Sequence, residues 1–225
     1  HFHSDNDHVS TSEHSDLSYG DGSNDSPFTF AAWVYMEEAT SFRILSKGVF
    51  NTATAEYLFQ TDGSDRLSLN LYDDSIDAYE GAYTTETIGE NKWVHVVGTY
   101  NGVGGTSANA GITLYIDGVA GTMNLIDTGS YVAMEDGANN MYIGRYDTSY
   151  ANGKIRDVKM FEHELSAEQV ASLYSGSYNV TPEKWYKLDD SIQGVNTAIA
   201  ADSGSKTARD GTLSSFGATD GTYAG

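Results

Sequence analysis

Residues 66–72 read RLSLNLY, and the leucines at 67, 69 and 71 alternate strictly with Arg66, Ser68, Asn70 and Tyr72. A period of two sends the leucines to one face of an extended strand and the others to the opposite face, the mark of a half-buried antiparallel sheet. The pattern recurs along the chain. Residues 28–35 (FTFAAWVY) form a bulky strand preceded by Pro27, a place where a sheet tolerates proline. Residues 93–100 (WVHVVGTY) and 112–117 (ITLYID) are two more, and Asp117-Gly118 supplies a tight hairpin turn into Val119. Weaker strands are expected over 42–46, 56–61, 141–144 and 154–161. The 24 glycines, 16 tyrosines and two prolines suit many short strands joined by turns. At 225 residues the chain buries a large core without covalent staples, and without cysteine it has neither disulfides nor thiolate metal sites. The three tryptophans, Trp33, Trp93 and Trp185, fall in strand patterns and are expected in the core.

One helix stands out. Ser166 opens S-A-E-Q, a capping box with Gln169, and Val170, Leu173 and Tyr174 follow on one face. Only about two turns long, such a helix persists by docking on a sheet. Residues 101–111 (NGVGGTSANAG) read as a flexible loop. Beyond Tyr178 the character changes: residues 185–188 look like one strand, and the rest, to Gly225, is rich in Gly, Ser, Asp and Thr. No apolar run approaches the ~20 residues that span a bilayer. The chain does not begin with Met and shows no signal peptide, so it reads as a fragment or a processed chain. A formal net charge of −20 makes nucleic acid a poor partner, favours divalent cations and suits a salty medium.

Taken in order, four motifs resemble the laminin G-like jelly-roll family of the concanavalin A-like superfamily. They are FTFAAWV (28–34) followed by ILSKG (44–48), WVHVVGTYNG (93–102), ITLYIDG (112–118), and the stretch 142–174 with YIGR, GKIRDVKMF and LSAEQVASLY. Each alone is weak; their shared order over residues 2–174 is specific. The resemblance implies an all-β, two-sheet antiparallel jelly-roll sandwich with one short helix near 166–174. Residues 1–178 would form the jelly roll. The family's usual opening strand has its counterpart at the end instead, as WYKLDDS (185–191) and DSGSKTARDGTL (202–213). The segment 179–225 is therefore expected to complete the same sandwich as a permuted first strand or to pair with a neighbouring subunit; the start of a truncated repeat is a third possibility.

The resemblance also implies a structural Ca²⁺ held by loop oxygens, with Asp5, Asn6, Asp7, Asp157 and Asp202 as candidate ligands. The bland alternative is a set of solvated acidic loops. Residues 21–25 (DGSND) imitate an EF-hand start but lack its later Gly and Glu. Four of six histidines lie in the first fourteen residues; copper chelation would require His1 to be a true mature terminus. His163-Glu164 fails as a zinc motif because position 167 is Ala. Retaining glycosidases need two carboxylates about 5 Å apart, and the related glucanases' ExDxxE run is absent; Asp74 and Asp77 read as turn acids. Tyr79, Tyr83, Tyr146 and Tyr150, in expected loops or strand ends, are candidates for stacking on sugars, with packing as the alternative.

The leading expectation is a non-catalytic carbohydrate-binding or adhesion module on an extracellular or virion surface, binding glycans or other surface polymers. The alternative is a structural phage virion or appendage protein whose partners are other subunits joined by strand pairing, and the third is a glycoside hydrolase. Membrane insertion and nucleic-acid binding are not expected.

Overall fold

The computed structural model describes residues 1–2, 6–50, 52, 54–188 and 199–214. Its strands in chain order are β1 (His8–Thr11), β2 (Phe28–Met36), β3 (Arg43–Lys47), β4 (Tyr57–Thr61), β5 (Arg66–Asp73), β6 (Ala78–Thr87), β7 (Trp93–Tyr100), β8 (Ile112–Ile116) and β9 (Val119–Ala120). There follow β10 (Met123–Thr128), β11 (Met141–Ile143), β12 (Arg145–Tyr146), β13 (Ser149–Tyr150), β14 (Gly153–Phe161), β15 (Lys184–Tyr186), β16 (Ile199–Ala200) and β17 (Gly211–Ser214). Helix α1 spans Ala167–Tyr174. A nine-stranded sheet has the order β10-β6-β5-β4-β3-β11-β1-β17-β16, and a six-stranded sheet the order β15-β14-β2-β7-β8-β9. The molecule is thus a jelly-roll sandwich with antiparallel pairing.

Alternation builds the core from both sheets. Val9, Ile143, Leu45, Phe59, Leu69 and Ala82 lie on one register line across β1, β11, β3, β4, β5 and β6, and all are buried. Phe28, Phe30, Ala32, Val34 and Met36 of β2 join the same core from the other sheet, beside Val94, Val96 and Leu114. At Gly98 the sheets approach closely: a Cβ there would lie 3.2 Å from the Phe59 ring. A charged pair interrupts this apolar layer. Lys47 Nζ contacts Glu56 Oε1 and donates to Ser18 Oγ (2.8 Å) and Gly137 O (2.9 Å), and the Gly137 N–H donates to the same Glu56 oxygen (2.9 Å). Neither charged side chain is exposed.

The helix starts where its capping box places it: Ser166 Oγ accepts from the Gln169 N–H, and the Gln169 side chain accepts from the Ser166 N–H. Val170 and Leu173 dock on Ala31, Val97, Tyr115, Phe161 and Leu165, on the outer face of the six-stranded sheet. The segment 101–111 is more ordered than a flexible loop: Gly105–Gly111 winds into a 3₁₀ helix that buries Ala108 and Asn109.

The C-terminal segment contributes to both sheets of its own chain. β15 pairs with β14 at the end of the six-stranded sheet, and β17 pairs with β1 in the nine-stranded sheet. Lys184 is buried and donates to Asp16 Oδ2 (3.0 Å) and Thr207 O (2.7 Å). The Tyr186 ring is fully buried, and its hydroxyl donates to Arg209 O (2.6 Å).

Candidate functional site

The alternation that puts the leucines of β5 in the core turns Arg66, Ser68, Asn70 and Tyr72 to the outer face of the nine-stranded sheet, where Ser68, Asn70 and Tyr72 are themselves buried under neighbouring side chains. Registration extends this row. Tyr142, Ser46, Leu58, Asn70 and Gly81 are successive partners across five strands, and Arg43, Gln60, Ser68 and Tyr83 form a parallel line. Gly81 has a reason to lack a side chain, since a Cβ there would lie 2.5 Å from Asn70 Oδ1.

Aromatic rings stand along this polar floor. Phe50 stacks on Tyr72 (4.9 Å between centroids) and meets Tyr79 edge-on (5.4 Å). Tyr146 accepts the Phe50 N–H at its hydroxyl (3.0 Å), while the Arg43 guanidinium lies 5.7 Å from the Tyr146 ring. Ser46 Oγ donates to Arg145 O (2.7 Å) and so pins the β12–β13 hairpin to the sheet. Arg145 then lies over the rings of Tyr142 (4.7 Å) and Tyr150 (5.7 Å), with His8 against the same two rings. Arg66 covers Tyr83 at 4.0 Å and is bound to Asp62 through Nε and Nη2.

Burial sets the protonation states here. It raises the Tyr72 phenol well above its usual range, so Tyr72 is a neutral hydroxyl. It lowers His8, a shift that the Asn6 carbonyl opposes and the Arg145 charge reinforces, which favours the neutral imidazole. It lowers Arg43 too, but a guanidinium keeps its charge. On this face Gln60 Oε1 and Arg43 Nε are buried without a hydrogen-bond partner among the described residues.

The four tyrosines singled out from the sequence share this face. Tyr79 and Tyr83 lie inside β6 rather than in a loop, because the hairpin after β5 is short; Tyr146 and Tyr150 occupy the small hairpin. Arg43, Gln60, Tyr72, Tyr142 and Arg145 were not singled out. Alternation in β5 already marked Tyr72 as outward, while Arg43 depends on a register shift between Arg43 and Leu45 that composition does not reveal.

The Laminin G 3 family model, described as the concanavalin A-like lectin/glucanases superfamily, matches residues 3–171. The chain belongs to this superfamily. No curated protein sequence matches it. Among solved structures, a presumed carbohydrate binding protein of Bacteroides ovatus is 15% identical with a TM-score of 0.57, over 95% of this chain and 57% of that protein. Domain 4 of an extracellular arabinanase from Geobacillus stearothermophilus, solved with arabinotriose, is 18% identical (TM-score 0.46; 68% of this chain, 69% of that one). A heptameric pentraxin from Limulus polyphemus is 13% identical (TM-score 0.46; 75% and 81%). At such identities the likeness concerns the fold alone.

The tryptophans of this concanavalin A-like chain correct the sequence expectation. Trp33, Trp93 and Trp185 are half-buried on the outer face of the six-stranded sheet, because their neighbours in the alternation, Val34, Val94 and Tyr186, take the core. Cations cover their rings. Arg156 lies 4.3 Å from Trp93 and 5.8 Å from Trp33, while Lys159 and Lys187 lie 5.0 and 4.7 Å from Trp185. A bulge between Arg156 and Lys159, with Asp157 at φ 52°, turns both cations outward.

The described candidate calcium ligands have partners within the protein. Asp5 lies outside the described residues. Asn6 accepts from His8 Nδ1 through its carbonyl (2.7 Å), and Asp7 is buried beside β1. Asp157 Oδ1 accepts from Trp185 Nε1 (2.9 Å). Asp202 accepts the N–H groups of Trp185 (2.9 Å), Gly204 (2.9 Å) and Arg209 (3.0 Å). Among the described residues no three His, Cys, Asp or Glu side chains converge on a possible metal position. Asp157 and Asp202 fit a hydrogen-bonding role better than a cation site, and no chemistry is derived through calcium.

Proposed function

We propose that this chain is a non-catalytic carbohydrate-binding module acting on an extracellular or virion surface. The observation that carries the binding role is the outer face of the nine-stranded sheet, where the half-buried rings of Tyr79, Tyr142 and Tyr146 stand beside a buried polar floor of Gln60, Ser68 and Asn70. Sugar C–H faces stack on aromatic rings, and amide and hydroxyl groups read the sugar hydroxyls. The outer-face residues of β3, β4 and β5 include no carboxylate, which supports binding without hydrolysis, since glycosidic cleavage needs a carboxyl pair. The surface location rests on the resemblance of the sequence to bacterial and phage surface domains.

A glycan microarray tests the reading. Wild-type protein should bind a defined subset of glycans, in buffer with calcium and in buffer with chelator. Tyr79→Ala and Tyr146→Ala should each weaken that binding at least about tenfold while leaving the fold intact, a loss near what one stacked ring contributes. Silence of the wild type on a broad array in both buffers would refute the proposal.

A further inference from the structure

We infer that this sheet face takes an anionic glycan, one whose sugar bears a carboxylate or sulfate beside a free hydroxyl; the inference rests on the carbohydrate-binding reading of the face. Arg43 and Gln60 are direct cross-strand partners at its centre. Gln60 is only 8% exposed, yet its Oε1 meets no donor. Arg43 Nε meets no acceptor, and among the described residues the ionisable groups acting on this guanidinium are the phenols of Tyr72 and Tyr146, with no carboxylate. An orphan acceptor and an uncompensated cation therefore stand side by side. A neutral sugar leaves the cation as it is. An anionic sugar places its charged oxygens on the guanidinium fork and gives a hydroxyl proton to Gln60 Oε1.

There are 32 acidic residues against 12 basic ones. Several cations hold carboxylates: Arg66 holds Asp62, Lys47 holds Glu56, and Lys184 and Arg209 hold Asp16, whereas Arg156 and Lys187 lie on tryptophan rings. Arg145, on the same face as Arg43, also bonds no carboxylate among the described residues; its Nε donates to Asp147 O (2.8 Å), and its guanidinium lies against Tyr142 beside His8, whose pKa burial lowers. Two arginines of this face, Arg43 and Arg145, thus lie against tyrosine rings without a carboxylate partner among the described residues. Burial lowers the Arg43 pKa, and the phenols of Tyr72 and Tyr146 oppose that shift.

The test uses arrays on which oligogalacturonates are printed beside their carboxyl-reduced counterparts, and sulfated galactans beside their desulfated counterparts. Wild type should favour at least one acidic member over its neutral partner by about tenfold or more, the scale of one charge-assisted hydrogen bond. The two pairs separate carboxylate from sulfate as the source of the charge. Arg43→Gln should bring that ratio near one, and Arg43→Lys should retain part of the preference. Equal binding of acidic and neutral members by wild type, or an undiminished preference in a folded Arg43→Gln protein, would overturn the inference. Binding of neutral glycans alone would overturn it and leave the carbohydrate reading standing; absence of all glycan binding would remove both.

Discussion

Replacing Lys47 with methionine removes one charge from the core at nearly constant volume. Glu56 then stays behind with no exposure and no cation. Breaking a buried pair by deleting one partner costs about 3–5 kcal/mol, because the remaining ion is uncompensated. For a domain of this size ~1 kcal/mol moves the melting temperature by about 2–4 °C, so Lys47→Met should melt roughly 6–20 °C below wild type. The loss should depend on pH. Burial pushes the Glu56 carboxyl up from 4.5, Lys47 opposes that, and its removal pushes the carboxyl further up. A folded pKa above the unfolded one means that the native state holds a proton the unfolded chain has lost, so stability falls as pH rises from 4.5 to the folded value. The deficit should therefore be small at pH 5 and grow towards pH 8, by at most ~1.4 kcal/mol per unit. Urea unfolding of wild type, Lys47→Met, Glu56→Gln and the double variant at pH 5 and pH 8 measures this, and the double variant should recover part of the loss at pH 8. A deficit that is the same at both pH values, or a double variant no better than Lys47→Met, would refute the reasoning.

Other perturbations follow from the same physics. Glu80 is fully buried, and burial followed by the nearby Asp127 raises it to about 7, against the opposing backbone N–H of Asn109. Since that lies above its unfolded value, wild-type stability should fall between pH 4.5 and 7 on its account, and Glu80→Gln should raise the melting temperature at pH 8 but not at pH 5. Asp202→Ala leaves three backbone N–H groups without an acceptor and should lower the melting temperature equally with and without chelator; a loss seen only without chelator would point to calcium instead. Deleting residues 180–225 uncovers the edges of β14 and β1 and should cause aggregation, read by light scattering. A truncated protein that remains monomeric with an unchanged melting curve would contradict that picture.

The strands of the sandwich were legible because alternation in residues 28–35, 66–72 and 93–100 follows directly from which face meets the core. The helix start was legible because Ser166 and Gln169 satisfy each other locally. Tyrosine positions were legible as candidates, but their grouping was not, since Tyr79 and Tyr146 are brought together by pairing across β3, β4, β5 and β6. The tryptophans misled for a related reason. Period two separates two faces without saying which is inner, and aromatic rings covered by Arg156, Lys159 and Lys187 suit the outside as well as the core. The role of Arg43 needed the bulge in β3, and that of Asp157 the bulge in β14; both depend on partner strands far away in sequence.

The placement of the tryptophans has an optical consequence. All three indoles sit on the outer face of the six-stranded sheet, with the core layer between them and the tyrosine-lined face. Their emission reports what touches that side: Trp33 stacks on Tyr174 of the helix at 5.7 Å, and Trp185 belongs to the C-terminal strand β15. Tryptophan fluorescence is therefore a gauge of helix docking and of the seating of the chain's end. Occupation of the opposite face should leave it silent and register instead in the tyrosine absorbance.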